Sequence, residues 1–188
     1  FSADGKSYLI EKTRLSYAPS ISILLKQISI PKAERRSFQV FSNAVFDNYL
    51  LKYADSEANN LARLFGIQPN LSATVRQFID KSEQSDILHF SMHAEFDEEP
   101  FKSFLAFKKD DLNPNGKLTV SDLLNLKLKS QSLVFLASCS TNNVFSSEGL
   151  VSLSWGMLGA GATTVISAQW EADDGSTEQF TKRFYYYY

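Results

Sequence analysis

The residues Ser132 to Ala137 (Ser-Leu-Val-Phe-Leu-Ala) form a nearly continuous apolar run in a chain whose charged residues are 21% of the total. A strand with one wet face alternates polar and apolar residues. A run without alternation is what a parallel strand covered on both faces looks like. Covering both faces requires helices in the crossovers, and the neighbouring segments supply them.

Ser37 to Phe41, Asp86 to Met92, Ser103 to Phe107 and Thr163 to Ala168 are also short apolar or β-branched runs that read as strands. Between them lie helical periodicities. Leu50, Ala54, Ala58, Leu61, Ala62 and Phe65 recur at three- and four-residue steps and predict a helix over 49–65, closed by Gly66. Residues 73–81 predict a shorter helix with Val75, Phe78 and Ile79 inward. Thr119 and Asp122 resemble a capping box for a helix that includes Leu123, Leu124 and Leu126, and Asn115-Gly116 marks a tight turn before it. Helices are also predicted over 148–160, ended by Gly161, and over 176–188. Near the start, Ser7 to Ile10 and Thr13 to Tyr17 read as a hairpin or two edge strands, and Ser20 caps a helix through Lys26. From residue 37 strands and helices alternate, which argues for an α/β fold with a mainly parallel sheet.

The 188 residues suffice for one domain. The chain starts without Met, at Phe1, inside a strand-like pattern and stops inside a helix, so it reads as a piece of a longer chain cut at both ends. Net charge is −2 and the pI about 5.7, with no basic stripe of the kind that tracks a phosphate backbone. No apolar run reaches the roughly 18 residues of a membrane span. The expectation is a domain that binds neither nucleic acid nor membrane.

There is one cysteine, Cys139. A lone cysteine forms no internal disulfide and favours a reducing compartment, the cytoplasm being the expected one. Most free cysteines are inert core. The neighbours of this one suggest more. In open α/β sheets, sites form beyond the carboxyl ends of the strands. The strand at 86–92 runs into His93, the strand at 132–137 runs through Ser138 into Cys139, and the strand at 163–168 ends at Trp170, Asp173 and Asp174. If these strands are parallel neighbours, an imidazole, a thiol and an acidic loop share one crevice. An imidazole beside a thiol can take its proton and return it to a leaving amine. Backbone N–H groups just after His93 and at Cys139 could hold the oxyanion. A redox-sensing cysteine on a flavodoxin-like sheet accounts for Cys139 but leaves His93 and the acidic loop without a role.

His89 lies four residues before His93. On a strand the two are about 13 Å apart, too far to share a metal ion, so His89 reads as a satisfied histidine within the sheet. An acidic pair such as Asp173-Asp174 is ordinarily solvated surface. Tyr185 to Tyr188 read as helix core.

Several blocks resemble a known family. Ile-Leu-His-Phe-Ser-Met-His-Ala (87–94) is similar to its apolar strand ending in His-Gly, and Leu-Ala-Ser-Cys-Ser-Thr-Asn (136–142) to its cysteine block. Glu148-Gly149-Leu150, Gly159 to Ala162, Val165 to Trp170 with Asp173-Asp174, Phe184-Tyr185, and upstream Tyr17 to Ser20 resemble the remaining blocks. Together they resemble the CHAT domain, a caspase-like peptidase domain often attached to tetratricopeptide repeats, over nearly the whole chain. The separation of His93 and Cys139 is 46 residues (139 − 93), against about 50 for caspases.

The resemblance implies a caspase-like sandwich, with helices on both faces of a mainly parallel sheet, as one domain over 1–188. It implies a cysteine endopeptidase without a cofactor, with His93 as catalytic histidine, Cys139 as nucleophile and the amides of Ala94 and Cys139 as oxyanion hole. By analogy with separase-like relatives, Asp174, with Asp173 and Trp170, would select Arg or Lys before the scissile bond. A protein substrate and a regulatory repeat domain or partner are implied, and relatives act in bacterial defence. Two positions depart from the family pattern. Ala94 and Asn142 replace glycines, and a Cβ at Ala94 would be strained if that position needs φ > 0. That departure motivates the alternative of a catalytically silent interaction module with the same fold.

Overall fold

The computed structural model describes residues 5–13, 16, 18, 20–30, 37–129, 133–138, 147–168 and 172–188, with residues 147–152 described through their backbone only. The chain divides into two units, Phe1–Ile30 and Pro31–Tyr188.

In the first unit the expected strand at 7–10 is instead a helical turn, α1 (Leu9–Lys12). Local partners explain the difference. The Glu11 carboxylate accepts the Tyr8 N–H at 3.3 Å, and the Thr13 N–H bonds the Leu9 carbonyl at 3.0 Å, so no partner strand is needed. Most of the second expected strand, 13–17, lies outside the described residues. Helix α2 (Ile21–Ser29) begins as read, with the Ser20 hydroxyl accepting the Ile23 N–H at 3.2 Å, and runs three residues past Lys26.

The second unit opens with β1 (Phe38–Asn43), then a small hairpin, β2 (Val45–Phe46) and β3 (Tyr49–Leu50). Helices α3 (Ala54–Phe65) and α4 (Val75–Ser82) lead to β4 (Ile87–Met92). A three-stranded antiparallel sheet follows, built from β5 (Ala94–Glu95), β6 (Phe104–Ala106) and β7 (Lys117–Thr119). Then come α5 (Val120–Leu123), β8 (Leu133–Ala137), α6 (Ser147–Gly159), β9 (Thr164–Ser167) and α7 (Asp174–Tyr187).

The main sheet has the order β1-β4-β8-β9 and every pair is parallel. Its register sets Ser42 beside Ser91, Ser91 beside Ala137, and Leu136 beside Ser167. The two-residue side-chain period then sorts the strands into two cores. Phe41, Leu88, Phe90, Met92, Val134 and Leu136 pack with Phe78 of α4 and Leu153 and Met157 of α6. Phe38, Val40, Ile87, Leu133, Phe135 and Ala137 pack on the other face with Leu61 of α3 and Tyr185 of α7. Leu133–Ala137 is therefore the interior strand that the composition of 132–137 suggested, Ser132 lying outside the described residues, and the chain is an α/β sandwich with helices on both faces.

Three expectations shift. The helix expected from Tyr49 starts at Ala54, because the chain first turns at Asp47, which holds φ +50°, and Tyr49 and Leu50 pair back onto Val45 and Phe46. Ile79 is 39% exposed rather than inward, although Val75 and Phe78 are buried. Helix α5 stops at Leu123, and Leu124 is exposed. Its capping box forms as read, with the Asp122 N–H donating to the Thr119 hydroxyl at 3.1 Å and the Asp122 carboxylate accepting the Thr119 N–H at 2.9 Å. Gly66 ends α3 at φ +65°, and Gly116 holds φ +68° where an added Cβ would meet the Phe107 carbonyl oxygen at 2.4 Å. Of the terminal tyrosines only Tyr185 is core; Tyr186, Tyr187 and Tyr188 are exposed.

Phe90 is fully buried and packs on the rings of Phe41, Phe78 and Phe107. Phe90→Ala should lower the unfolding free energy by about 3–5 kcal/mol in denaturant titration. A loss below about 1 kcal/mol would contradict this packing.

Candidate active site

His93 follows the last residue of β4 and is 2% exposed. Three elements hold it. Its backbone carbonyl accepts the Ala106 N–H of β6 at 2.9 Å, and the Ala106 carbonyl accepts the Asn43 side-chain amide at the end of β1, also at 2.9 Å. Its ring Nε2 lies 3.2 Å from the Tyr49 carbonyl oxygen in the hairpin. A carbonyl only accepts, so in the neutral ring Nε2 carries the hydrogen and Nδ1 is a bare lone pair. That Nδ1 is buried and has no hydrogen-bond partner among the described residues.

Burial pushes the His93 pKa down from the ordinary histidine value. The carbonyls of Tyr49 and Ala44 and the charges of Asp174 and Glu95 oppose this without overcoming it. A neutral imidazole with one unpartnered nitrogen is competent to accept a proton at neutral pH.

Ala94 opens β5 and is buried opposite Leu105 of β6. The described non-glycine residues with positive φ are Asp47 and Ser72, so Ala94 carries none of the left-handed penalty that loss of a glycine raised. In an antiparallel ladder hydrogen-bonded and non-hydrogen-bonded pairs alternate. Because His93 bonds Ala106, the next pair, Ala94 and Leu105, is of the second kind, and the Ala94 N–H turns away from β6.

Cys139, Trp170 and Asn142 lie outside the described residues. The strand that leads to Cys139 is described: β8 lies directly beside β4, and Ser138 follows it with its hydroxyl buried and unpartnered among the described residues. Asp173 and Asp174 are both turned onto backbone. Asp173 caps α7, accepting the Ser176 N–H at 2.9 Å and its hydroxyl at 3.0 Å, and the Ser176 N–H above all holds its carboxyl below the usual range. Asp174 is half-buried and accepts the Tyr53 N–H at 2.8 Å, which ties α7 to the segment entering α3. Burial, with the charges of Glu57, Asp173 and Glu178, raises its pKa against that hydrogen bond.

Beneath His93 lies a polar network that the sequence analysis missed. Glu57 on α3 is 2% exposed; its carboxylate accepts the hydroxyls of Ser91 on β4 and Thr181 on α7, the latter at 2.6 Å. His89 Nε2 lies 3.3 Å from the same carboxylate, and His89 Nδ1 is 3.1 Å from the Tyr185 hydroxyl. Burial pushes the Glu57 carboxyl up, but His89, Ser91 and Thr181 together outweigh it and leave it below the ordinary value. Burial raises the Tyr185 pKa, so the phenol keeps its proton within hydrogen-bond distance of His89 Nδ1. His89 lies within the sheet as expected but is only half satisfied: Nδ1 meets the Tyr185 hydroxyl, while Nε2, near the Glu57 carboxylate, makes no hydrogen bond among the described residues. The available signal was Glu57 itself, a charge one residue from Ala58 on the apolar face of α3. Among the described residues no group of three or more His, Cys, Asp or Glu could hold a metal ion, and no helix is long and apolar enough to cross a membrane.

The CHAT domain family model matches residues 1–188. The chain belongs to the CHAT domain family. Curated relatives of this CHAT chain include tetratricopeptide repeat protein 28 of Mus musculus, 24% identical over 76% of this chain and 7% of the relative, and of Homo sapiens, 24% identical over 98% and 8%. The chain therefore spans less than a tenth of the length of these relatives. Among solved structures a flavodoxin of Streptococcus pneumoniae TIGR4 aligns at a TM-score of 0.45 and 11% identity, over 80% of this chain and 99% of the flavodoxin.

The histidine of this CHAT domain links stability to pH. A histidine in the unfolded chain titrates near about 6.5, above the lowered value of folded His93. Between those two values the unfolded state binds more protons, so stability falls as pH drops through that window. Melting temperature should decline below about pH 6.5, and His93→Gln should flatten that histidine step. An unchanged slope in the variant would show that His93 is not buried neutral.

Proposed function

We propose that this CHAT domain is a cysteine endopeptidase in which His93 is the general base and Cys139 the nucleophile. The observation that carries the proposal is the state of the imidazole: Nε2 tied to the Tyr49 carbonyl, and Nδ1 buried, neutral and unpartnered among the described residues. A buried ring nitrogen without a partner is costly and calls for a proton donor. The register supports a thiol as that donor. Ser91 and Ala137 are paired neighbours, and His93 and Cys139 each stand two residues further along.

In this mechanism the Cys139 thiol gives its proton to His93 Nδ1, and the thiolate attacks the scissile carbonyl carbon. The oxyanion is received by the N–H groups of Ala94 and Cys139, the first of which is turned away from the β6 ladder. When the tetrahedral intermediate collapses the C–N bond breaks, and the imidazolium returns the proton to the leaving amine. Water then cleaves the thioester, with His93 again the base.

Asp174, with Asp173 and Trp170, would recognise an Arg or Lys side chain before the scissile bond; the supporting observation is that Asp174 lies close enough to bear on His93 electrostatically. A free thiol nucleophile suits a reducing compartment such as the cytoplasm. The curated relatives are tetratricopeptide repeat proteins, which supports control by a repeat domain or partner.

With a fluorogenic peptide ending in Arg or Lys, Cys139→Ala should abolish cleavage, and His93→Ala should reduce it by about 10²–10⁴-fold. Asp174→Asn should erode the preference for basic residues. A peptide chloromethyl ketone should label Cys139 at neutral pH. Undiminished cleavage by either dyad variant would remove the mechanism.

A further inference from the structure

We propose that Glu57 is a positioning residue for His93, an inference that rests on the reading of His93 as the general base. The Glu57 carboxylate is the one described group on which α3, β4 and α7 converge through hydrogen bonds to Ser91 and Thr181, with His89 at 3.3 Å. These three elements carry or adjoin groups that act on His93. Strand β4 ends immediately before it. The Tyr49 carbonyl that holds Nε2 is on β3, which leads through residues 51–53 into α3. Helix α7 opens with Asp174, which grips that segment through the Tyr53 N–H and, with Glu95, bears on His93 by charge.

The connections are short. Ser91 is two residues before His93, on the same side of the strand. The Glu57 N–H bonds the Tyr53 carbonyl at 2.8 Å, so Glu57 sits one helical turn from the residue that Asp174 grips. Thr181 lies two turns along α7 from Asp174. One buried anion therefore sets the spacing between the strand that delivers the imidazole and the carbonyl that orients it. An apolar side chain could fill the same volume without burying a charge, and a buried carboxylate adds little net stability over such a filling. What it adds is direction: its oxygens accept only from donors at defined positions, one on each neighbouring element.

Glu57→Gln keeps the volume and tests the point. The purified protein should remain folded by near-ultraviolet circular dichroism. Three readouts should change together. The ¹⁵N shifts of the His93 ring should lose the single Nε2–H tautomer. The rate of Cys139 alkylation by iodoacetamide, followed from pH 5 to 9, should lose its imidazole-dependent limb. Turnover of the basic peptide should fall at least about tenfold in kcat with KM little changed. Ser91→Ala, which removes one donor from β4 alone, should shift all three in the same direction by less, and it decides the matter if Glu57→Gln does not fold.

A variant that melts earlier but keeps the parent tautomer and alkylation profile would show that Glu57 is only structural, and would overturn the proposal. If the parent protein alkylates no faster than free cysteine, the peptidase reading fails instead. The ring shifts of His93 in parent and variant still decide whether Glu57 positions it.

Discussion

Everything at the candidate site depends on β4 being a parallel strand hydrogen-bonded on both sides and buried along its whole length. Such a strand cannot slide by one residue without exchanging its faces. Leu88, Phe90 and Met92 lock it into one core. The opposite face carries Ile87 and then two polar side chains, His89 and Ser91, with Tyr185 meeting His89 Nδ1 and Glu57, itself bonded by Thr181, accepting the Ser91 hydroxyl. Register and polarity together deliver His93 to the carboxyl end of the sheet on the side of α3 and α7. The phenylalanines of one core and the carboxylate of the other are thus two halves of one constraint on where the imidazole can be.

The parts of this arrangement legible in the sequence are those written in a period. Residues 133–137 lack alternation and are central; residues 58–62 repeat at helical spacing and are helix; Thr119 and Asp122 cap as their spacing says. What was illegible is made by contacts across the fold. The hairpin at 45–50 has strands of two residues, too short for any period, and it replaced the expected first turn of α3 because Tyr49 and Leu50 found Val45 and Phe46. The same hairpin supplies the Tyr49 carbonyl, so the orienting partner of His93 is a backbone group that no side-chain pattern could reveal. Asp173 and Asp174 were visible as an acidic pair, but their bonds to Ser176 and Tyr53 depend on α7 meeting α3. Ile79 fails for the converse reason: the buried stripe of α4 runs through Val75, Phe78 and Ser82, which leaves Ile79 at its edge and 39% exposed.

The choice of a backbone carbonyl as the orienter has a chemical consequence. A carboxylate at Nε2 would stabilise the imidazolium strongly and raise its pKa; a neutral carbonyl fixes the tautomer with less charge stabilisation. Combined with burial it leaves the His93 pKa lowered rather than raised, so the ring is neutral at neutral pH. The balancing negative charge is kept at a distance, in Asp174 and Glu95, where it opposes the desolvation without cancelling it. In the proposed dyad the thiolate itself is the counter-ion closest to the imidazolium, so the ion pair forms only when the proton has moved. In such a dyad the thiol would be activated by its partner imidazole rather than ionised by a surrounding positive field. Ala94, the residue after His93, opens β5 and turns its N–H out of the β6 ladder, which places a donor directly after the imidazole.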